Sequence, residues 1–293
     1  MSEFAAGFAA SQIIGTRERQ EDDYITIDLC TAGSERLLFA LADGMGGHEG
    51  AATVAQIAVR RFCEIVQSFD GRLSERLSRA LWSTNDEIAK AAIRDATLEG
   101  AGCAFLSAAV EDGTLSWTSV GDCSLFLFRR GKLRRLNEDH SMRPVLAEMV
   151  ATGRISSRTA ALDPRRHSLR SALMGREIRM IDNSLEPLPL NSGDIVILAS
   201  DGLETLSTRA LAKLLAREWG ASPARLVDRL LNAVEAARLR SQDNTTLIIY
   251  QSAGSEASGR NRTGPGAGRF LLWFALAAIF LCVVAYALQT ATP

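Results

Sequence analysis

Three of the most apolar runs in the chain abut a carboxylate. They read LLFALAD at 37–43, IVILASD at 195–201 and, in the opposite sense, DNTTLIIY at 243–250. Runs this short, rich in Leu, Ile and Val and flanked by turn residues, suit buried strands. A strand delivers the residue at its end to one edge of a sheet, so several such strands can crowd their terminal acids into one cleft. Asp43-Gly44 or Asp201-Gly202 alone is ordinary turn chemistry. Together with Glu21-Asp22-Asp23 and Asp243-Asn244 they make four acidic clusters, each at a strand end or in a turn. Any fold for this chain has to account for that arrangement.

Strand-like and helix-like segments come in blocks around these runs. Residues 24–29 and 37–42 suit paired strands. Residues 51–69 and 73–93 have helical spacing, and in the second Leu73, Leu77, Ala80, Leu81, Ile88 and Ala92 share a face. Residues 104–110, 115–120 and 124–130 read as a β-meander with turns at Asp112-Gly113 and Gly121-Asp122. Further strands are expected at 195–199 and 246–250. Ser222-Pro223 opens a helix, with Ser at the cap and Pro at the first position, and Leu226, Leu230, Val234 and Ala237 facing inward. Strand blocks followed by helix blocks predict an α+β layered domain and not a βαβ nucleotide-binding unit. There is no internal repeat.

Composition narrows the class. The 293 residues are 47% hydrophobic and 23% charged, which excludes a disordered chain, a collagen and a small disulfide scaffold. A net charge of −1 gives no global field toward nucleic acid, so no nucleic-acid partner is expected. Cys30, Cys63, Cys103, Cys123 and Cys282 are scattered without metal-ligand spacing, which suits a reducing compartment. The apolar residues are not evenly spread. Residues 270–288, FLLWFALAAIFLCVVAYAL, carry no charge over about 19 positions, the length of a membrane-crossing helix. The sequence predicts a globular domain at 8–251, a flexible Gly/Ser-rich linker at 252–268 and a transmembrane helix at 269–289. Arg260, Arg262 and Arg269 precede the span, so the expected location is the cell membrane, single-pass, with the domain cytoplasmic. The N-terminus has no charged, apolar run of the kind that directs export.

Acids gathered at one sheet edge suit Mg²⁺ or Mn²⁺, hard cations that take oxygen ligands and keep several waters. Two such ions bridged by a carboxylate can activate water for in-line displacement at phosphorus. The ordered motifs carry a resemblance. They are Gly15-Thr16-Arg17-Glu18-Arg19-Gln20-Glu21-Asp22, Ala42-Asp43-Gly44-Met45-Gly46-Gly47-His48, Ser119-Val120-Gly121-Asp122-Cys123 and Glu138-Asp139-His140-Ser141. Leu169-Arg170-Ser171-Ala172-Leu173, Ala199-Ser200-Asp201-Gly202-Leu203 and Gln242-Asp243-Asn244-Thr245-Thr246 follow. In this order the chain resembles the metal-dependent protein phosphatases, the PPM or type 2C serine/threonine family, in its bacterial form, from Gly15 to about Tyr250. Residues 144–164 resemble that family's flap.

The resemblance implies a four-layer α/β/β/α sandwich of two antiparallel sheets flanked by helices. It implies that Asp43 bridges two Mn²⁺ or Mg²⁺ ions, with the Gly44 carbonyl on one. Asp201 and Asp243 hold one ion, and Glu21 and Asp22 serve the second largely through waters. Asp122 contributes to a third, weaker site, and Arg17 binds the substrate phosphate as a guanidinium fork. The implied activity is direct hydrolysis of phosphoserine and phosphothreonine in protein substrates of a serine/threonine kinase. No Ser or Cys nucleophile is needed, and no setting for one is present. The competing reading is a catalytically weak, membrane-anchored module that binds metal and phosphoprotein. Loss of a metal carboxylate would favour it, and none is missing.

Three departures from the family pattern stand out. Gln20 replaces the usual Asn. Cys103 and Cys123 replace small polar residues and are expected to be packed strand positions. Met45 stands where animal members carry a histidine proposed to protonate the leaving group. A thioether cannot do that, which leaves His48 or a metal-bound water, and otherwise His48 and His140 are expected to be structural.

Overall fold

The computed structural model describes residues 7–30, 34–46, 50–184 and 186–253. The span expected at 269–289, the linker expected at 252–268 beyond its first two residues, and His48 lie outside them. Among the described residues no helix is long and apolar enough to cross a membrane. In chain order the strands are β1 (Gly7–Ile13), β2 (Asp22–Asp28), β3 (Arg36–Met45), β4 (Gly102–Glu111), β5 (Thr114–Val120) and β6 (Ser124–Arg129). Then come β7 (Lys132–Arg135), β8 (Asp182–Asn183), β9 (Leu188–Pro189), β10 (Ile195–Ala199) and β11 (Thr245–Gln251). The helices are α1 (Gly50–Ser68), α2 (Leu73–Arg94), α3 (Arg143–Ala151), α4 (Ser157–Ala161), α5 (Thr208–Arg217) and α6 (Pro223–Ala236).

The strands form two antiparallel sheets. One has the order β1-β11-β10-β6-β7; the other runs β2-β3-β4-β5-β8, with β9 also pairing with β5. Alternation along β3 shows how the layers stack. Leu38, Ala40 and Ala42 pack with Val54, Phe62, Leu77 and Leu81 of α1 and α2. Leu37, Phe39 and Leu41 point the other way, into a core shared with Val196, Leu198, Ile248 and Tyr250 of the facing sheet. Ile195, Ile197, Leu247 and Ile249 then pack against Leu211 and Leu215 of α5 and Leu226 and Leu230 of α6. The order is helices, sheet, sheet, helices. Both faces of these strands are covered, which is why they read as continuous apolar runs.

The β4–β5 hairpin turns at Asp112-Gly113 as expected, with φ of 48° and 74°, the left-handed pair of a type I′ turn. The expected turn at Gly121-Asp122 is not a hairpin. There the chain leaves one sheet and enters the other, because β6 pairs with β10 and β7 and not with β5. Gly121 has φ 100°, and a Cβ on it would lie 2.5 Å from Ala104 Cβ, so only glycine makes this crossing. The third strand of the supposed meander instead pairs with β7, across a turn at Arg130-Gly131 with φ of 51° and 76°. The helix expected at Ser222-Pro223 starts there, the Ser222 hydroxyl accepting from the Arg225 N–H at 3.4 Å. Leu226, Leu230 and Val234 are buried, but Ala237 is its exposed C-cap. In the second helix Leu73, Leu77, Ala80, Leu81 and Ile88 are buried, and Ala92 packs against that core partly buried.

Candidate metal centre

The ends of β3, β5 and β10 and the starts of β2 and β11 meet at one end of the two sheets. Asp43 and Asp22 are direct register partners. Ser200-Asp201 follows β10, Asp243-Asn244 precedes β11, and Gly121-Asp122 makes the crossing between the sheets. Together they open a cavity of about 230 Å³ lined by Glu21, Asp43, Asp122, Asp201 and Asp243, with Arg17 at its side. Gly44, Met45, Gly46, His167 and Asn244 complete much of the wall.

Side-chain amides lock the loops that carry these acids. Asn244 accepts the Glu21 N–H at 2.8 Å and donates to the carbonyls of Ile14 and Arg19 at 2.9 and 3.0 Å. The Gln242 amide donates to the Gly202 carbonyl at 3.2 Å and accepts from the Thr205 hydroxyl at 2.6 Å. Gly202 must be glycine, since a Cβ there would lie 2.1 Å from the Asn244 carbonyl oxygen. The Gly44 N–H donates to the Glu21 carbonyl at 3.1 Å, joining the first motif to the second. Gln20 is occupied in the same way, accepting the Asp22 N–H at 3.1 Å.

Asp22 is not among the residues lining the cavity. It is buried, and its Oδ2 accepts from the Ser200 and Thr246 hydroxyls at 2.8 and 2.7 Å. Both hydroxyls belong to the opposite sheet, so this carboxylate joins the sheets behind the cavity. Arg17 also differs from a simple solvated side chain, because its Nη2 lies 2.6 Å from Asp243 Oδ2.

The acids burden one another. Burial first, then the charges of Asp22, Asp201, Asp122 and Asp243, hold the Asp43 carboxyl well above its ordinary value. Burial and then Asp122, Asp243 and Asp22 raise Asp201 to about 7, against the opposing effect of Arg143. Burial raises Asp22 to about 6, although Thr246 and Ser200 stabilise its charged form. Asp122 is raised by burial, with Arg143 opposing. Buried carboxylates that repel one another this strongly call for added positive charge. The lining, carboxylates with the backbone of Gly44 in the wall, offers the hard oxygen donors that Mg²⁺ and Mn²⁺ prefer. Among the described residues no three Asp, Glu, His or Cys side chains converge on a single point. An ion here would take few protein ligands and complete its shell with water, the usual habit of Mg²⁺.

His140 is structural: fully buried, its Nδ1 accepts the Gly121 N–H at 3.2 Å and holds the crossing between sheets. Cys103 and Cys123 are buried strand and turn residues whose thiols burial pushes far up, so neither is a thiolate. Two residues escaped the sequence reading. His167, three residues after the flap-like segment, lines the cavity, and Arg143, the first residue of α3, reaches Asp122, Asp139 and Glu204. A single His or Arg in a polar segment carries no spacing signal, so only the fold exposes them.

A family model described as protein phosphatase 2C matches residues 15–245. The serine/threonine phosphatase stp of Listeria innocua is 29% identical over 175 residues, 58% of this chain and 68% of that protein. The serine/threonine protein phosphatase PstP of Mycobacterium tuberculosis is 28% identical over 215 residues, 72% of this chain and 40% of its own length. The crystal structure of the PstP catalytic domain in complex with two manganese ions superposes with a TM-score of 0.66 at 26% identity. That superposition covers 84% of this chain and 97% of the other.

Proposed function

Since the chain belongs to the protein phosphatase 2C family of metal-dependent serine/threonine protein phosphatases, we propose that Asp43, Asp201, Asp243, Glu21 and the Gly44 carbonyl hold its two manganese or magnesium ions. The observation that carries this assignment is the convergence of mutually repelling acids from both sheets on one cavity beside Arg17. Two such ions supply an activated water and neutralise charge at a phosphoryl group. Asp43, which lines the cavity with Asp201, Asp243 and Glu21, would be the ligand that both ions share. Arg17, at the cavity mouth and 54% exposed, receives the phosphate of a phosphoserine or phosphothreonine and orients it. Asp243 presets the guanidinium for that task. Asn244 keeps Glu21 and Arg19 in place, and Asp22 braces the two sheets behind Asp43. Met45 lines the wall without a proton to give, whereas His167 presents an imidazole to the same cavity.

The substrates we propose are phosphoproteins of a serine/threonine kinase. The uncharged run at 270–288 supports a C-terminal membrane anchor with the catalytic unit on the cytoplasmic face. A flexible linker of about 17 residues gives a typical reach of about 20–25 Å, which would keep the enzyme near membrane-bound substrates. The test is Mn²⁺-dependent hydrolysis of a phosphothreonine peptide by the chain and by its 1–251 portion, combined with membrane fractionation. Hydrolysis by both, with only the longer form in membranes, is expected. A folded 1–251 portion that binds Mn²⁺ but leaves the peptide intact would overturn the catalytic assignment, and a soluble full chain would overturn the anchor.

A further inference from the structure

The cavity is not uniformly short of positive charge. Around Asp43, Asp201 and Asp243 the one lining guanidinium among the described residues is Arg17, whose side chain is 54% exposed. The Asp122 side is different. The Asp122 side chain is 6% exposed and the Arg143 side chain 14%, and Arg143 Nη2 lies 3.5 Å from Asp122 Oδ2. The same guanidinium places Nε 3.0 Å from Asp139 Oδ2 and pairs through Nη1 with Glu204. Nε also donates to the Ser141 hydroxyl at 3.0 Å, and the Arg143 N–H donates to it at 3.2 Å. A second guanidinium, Arg135, donates to the Asp122 carbonyl at 2.9 Å and lies 3.7 Å from Asp139 Oδ2.

Three carboxylates from three separate loops thus face two guanidiniums. Asp122 follows β5, Asp139 follows β7, and Glu204 sits in the turn after β10. A planar guanidinium with five donors can serve several carboxylates at once. Two fixed positive charges beside Asp122 would repel a divalent cation at close range in a poorly solvated site. A third ion on Asp122 would have to displace Arg143 and leave that charge without its partners.

We propose that Arg143 takes the place of a third cation at Asp122, so that this chain holds two divalent ions and not three. The inference rests on the functional reading above. Arg143 is then a positioning residue. It stands at the start of α3, immediately before the segment at 144–164 that resembles the family's flap, and ties that helix to the loops after β5, β7 and β10 by a charge that is always present. The attachment therefore does not depend on the metal concentration.

Counting bound Mn²⁺ by electron paramagnetic resonance of the free ion tests this on the full chain in detergent. Two ions are expected in the wild type and in Asp122→Asn. Arg143→Met keeps the length of the side chain without its charge and should bind a third, weaker ion. That third ion should vanish in the double variant Arg143→Met/Asp122→Asn. Arg143→Ala serves as a second variant, with near-UV circular dichroism reporting the fold. Three ions in the wild type, one of them lost in Asp122→Asn, would overturn this inference alone. So would a count of two in natively folded Arg143→Met and Arg143→Ala. No bound ion in any form would overturn the functional reading itself.

Discussion

Removing the metal should make this protein more stable at pH 5 than at pH 8 as far as the buried acids in and behind its cavity are concerned. Asp22 is the clearest case, because it is buried and its carboxyl is raised from 3.8 to about 6. A group that holds its proton more tightly when folded contributes stability that is fully present below the unfolded pKa. That stability is lost as the pH rises through the folded pKa. The window therefore opens near pH 4, and Asp201, raised to about 7, extends it toward neutrality. About two pKa units at ~1.4 kcal/mol each put the Asp22 contribution at roughly 3 kcal/mol. That is a large share of a typical domain stability of about 5–15 kcal/mol. His140 works the other way. Burial lowers its pKa from 6.5, so the folded state loses stability as the pH falls through about that value. The informative quantity is therefore a difference between variants. Urea unfolding in EDTA, followed by near-UV circular dichroism at pH 5, 6, 7 and 8, should show Asp22→Asn gaining on the wild type as the pH rises. Added Mn²⁺ should raise the wild-type midpoint more at pH 8 than at pH 5, since ions replace protons. A difference between wild type and Asp22→Asn that does not change with pH, or a Mn²⁺ effect larger at pH 5, would refute the claim that burial, and then the charge of Asp243, disfavours the charged Asp22 in the folded state.

Asp43→Asn and Asp201→Asn should each lower turnover of a phosphothreonine peptide by at least about 100-fold while leaving the circular dichroism spectrum native; near-wild-type rates at saturating Mn²⁺ would contradict their assignment. Arg17→Ala should raise KM with little change in the Mn²⁺ concentration needed for half-maximal rate, read from substrate and metal titrations. Gly202→Ala forces a methyl against the Asn244 carbonyl and should lower stability by about 1–3 kcal/mol, measured as a shift in the urea midpoint.

The apolar runs of β3, β10 and β11 were legible because each is buried on both faces and presents no polar alternation to confuse the reading. The acids at their ends were legible for the same reason, since a strand end fixes where its terminal residue goes. β1 was not legible. Its sequence GFAASQI is small and mixed, it is half-buried along its length, and it lies at the sheet edge. Its identity comes from pairing with β11, more than two hundred residues away. The crossing at Gly121-Asp122 was misread because a glycine at φ 100° looks the same in sequence whether the chain folds back or changes sheets. Arg143 was invisible because its partners Asp122, Asp139 and Glu204 come from three loops. Asp22 was read with Glu21 as a ligand pair; Glu21 lines the cavity, whereas Asp22, the register partner of Asp43, turns one oxygen to Ser200 and Thr246, a contact across the sheets that carries no signal in the sequence.

The strand order bears on how the protein is made. β11 sits between β1 and β10, so β1 waits for a strand more than two hundred residues later before its hydrogen bonds are filled. The other sheet can pair β2 to β5 early, through contacts close in sequence, but the sheet completed by β11 closes only after β11 has been made. Contacts of such long range slow folding and lengthen the time that apolar strand edges stay exposed. Asp243 and Asn244 immediately precede β11, so the cavity they line is completed in that same step. A nascent chain still lacking these residues has an open, incomplete cavity, and on the metal assignment proposed above it should stay inert until β11 has been laid between β1 and β10.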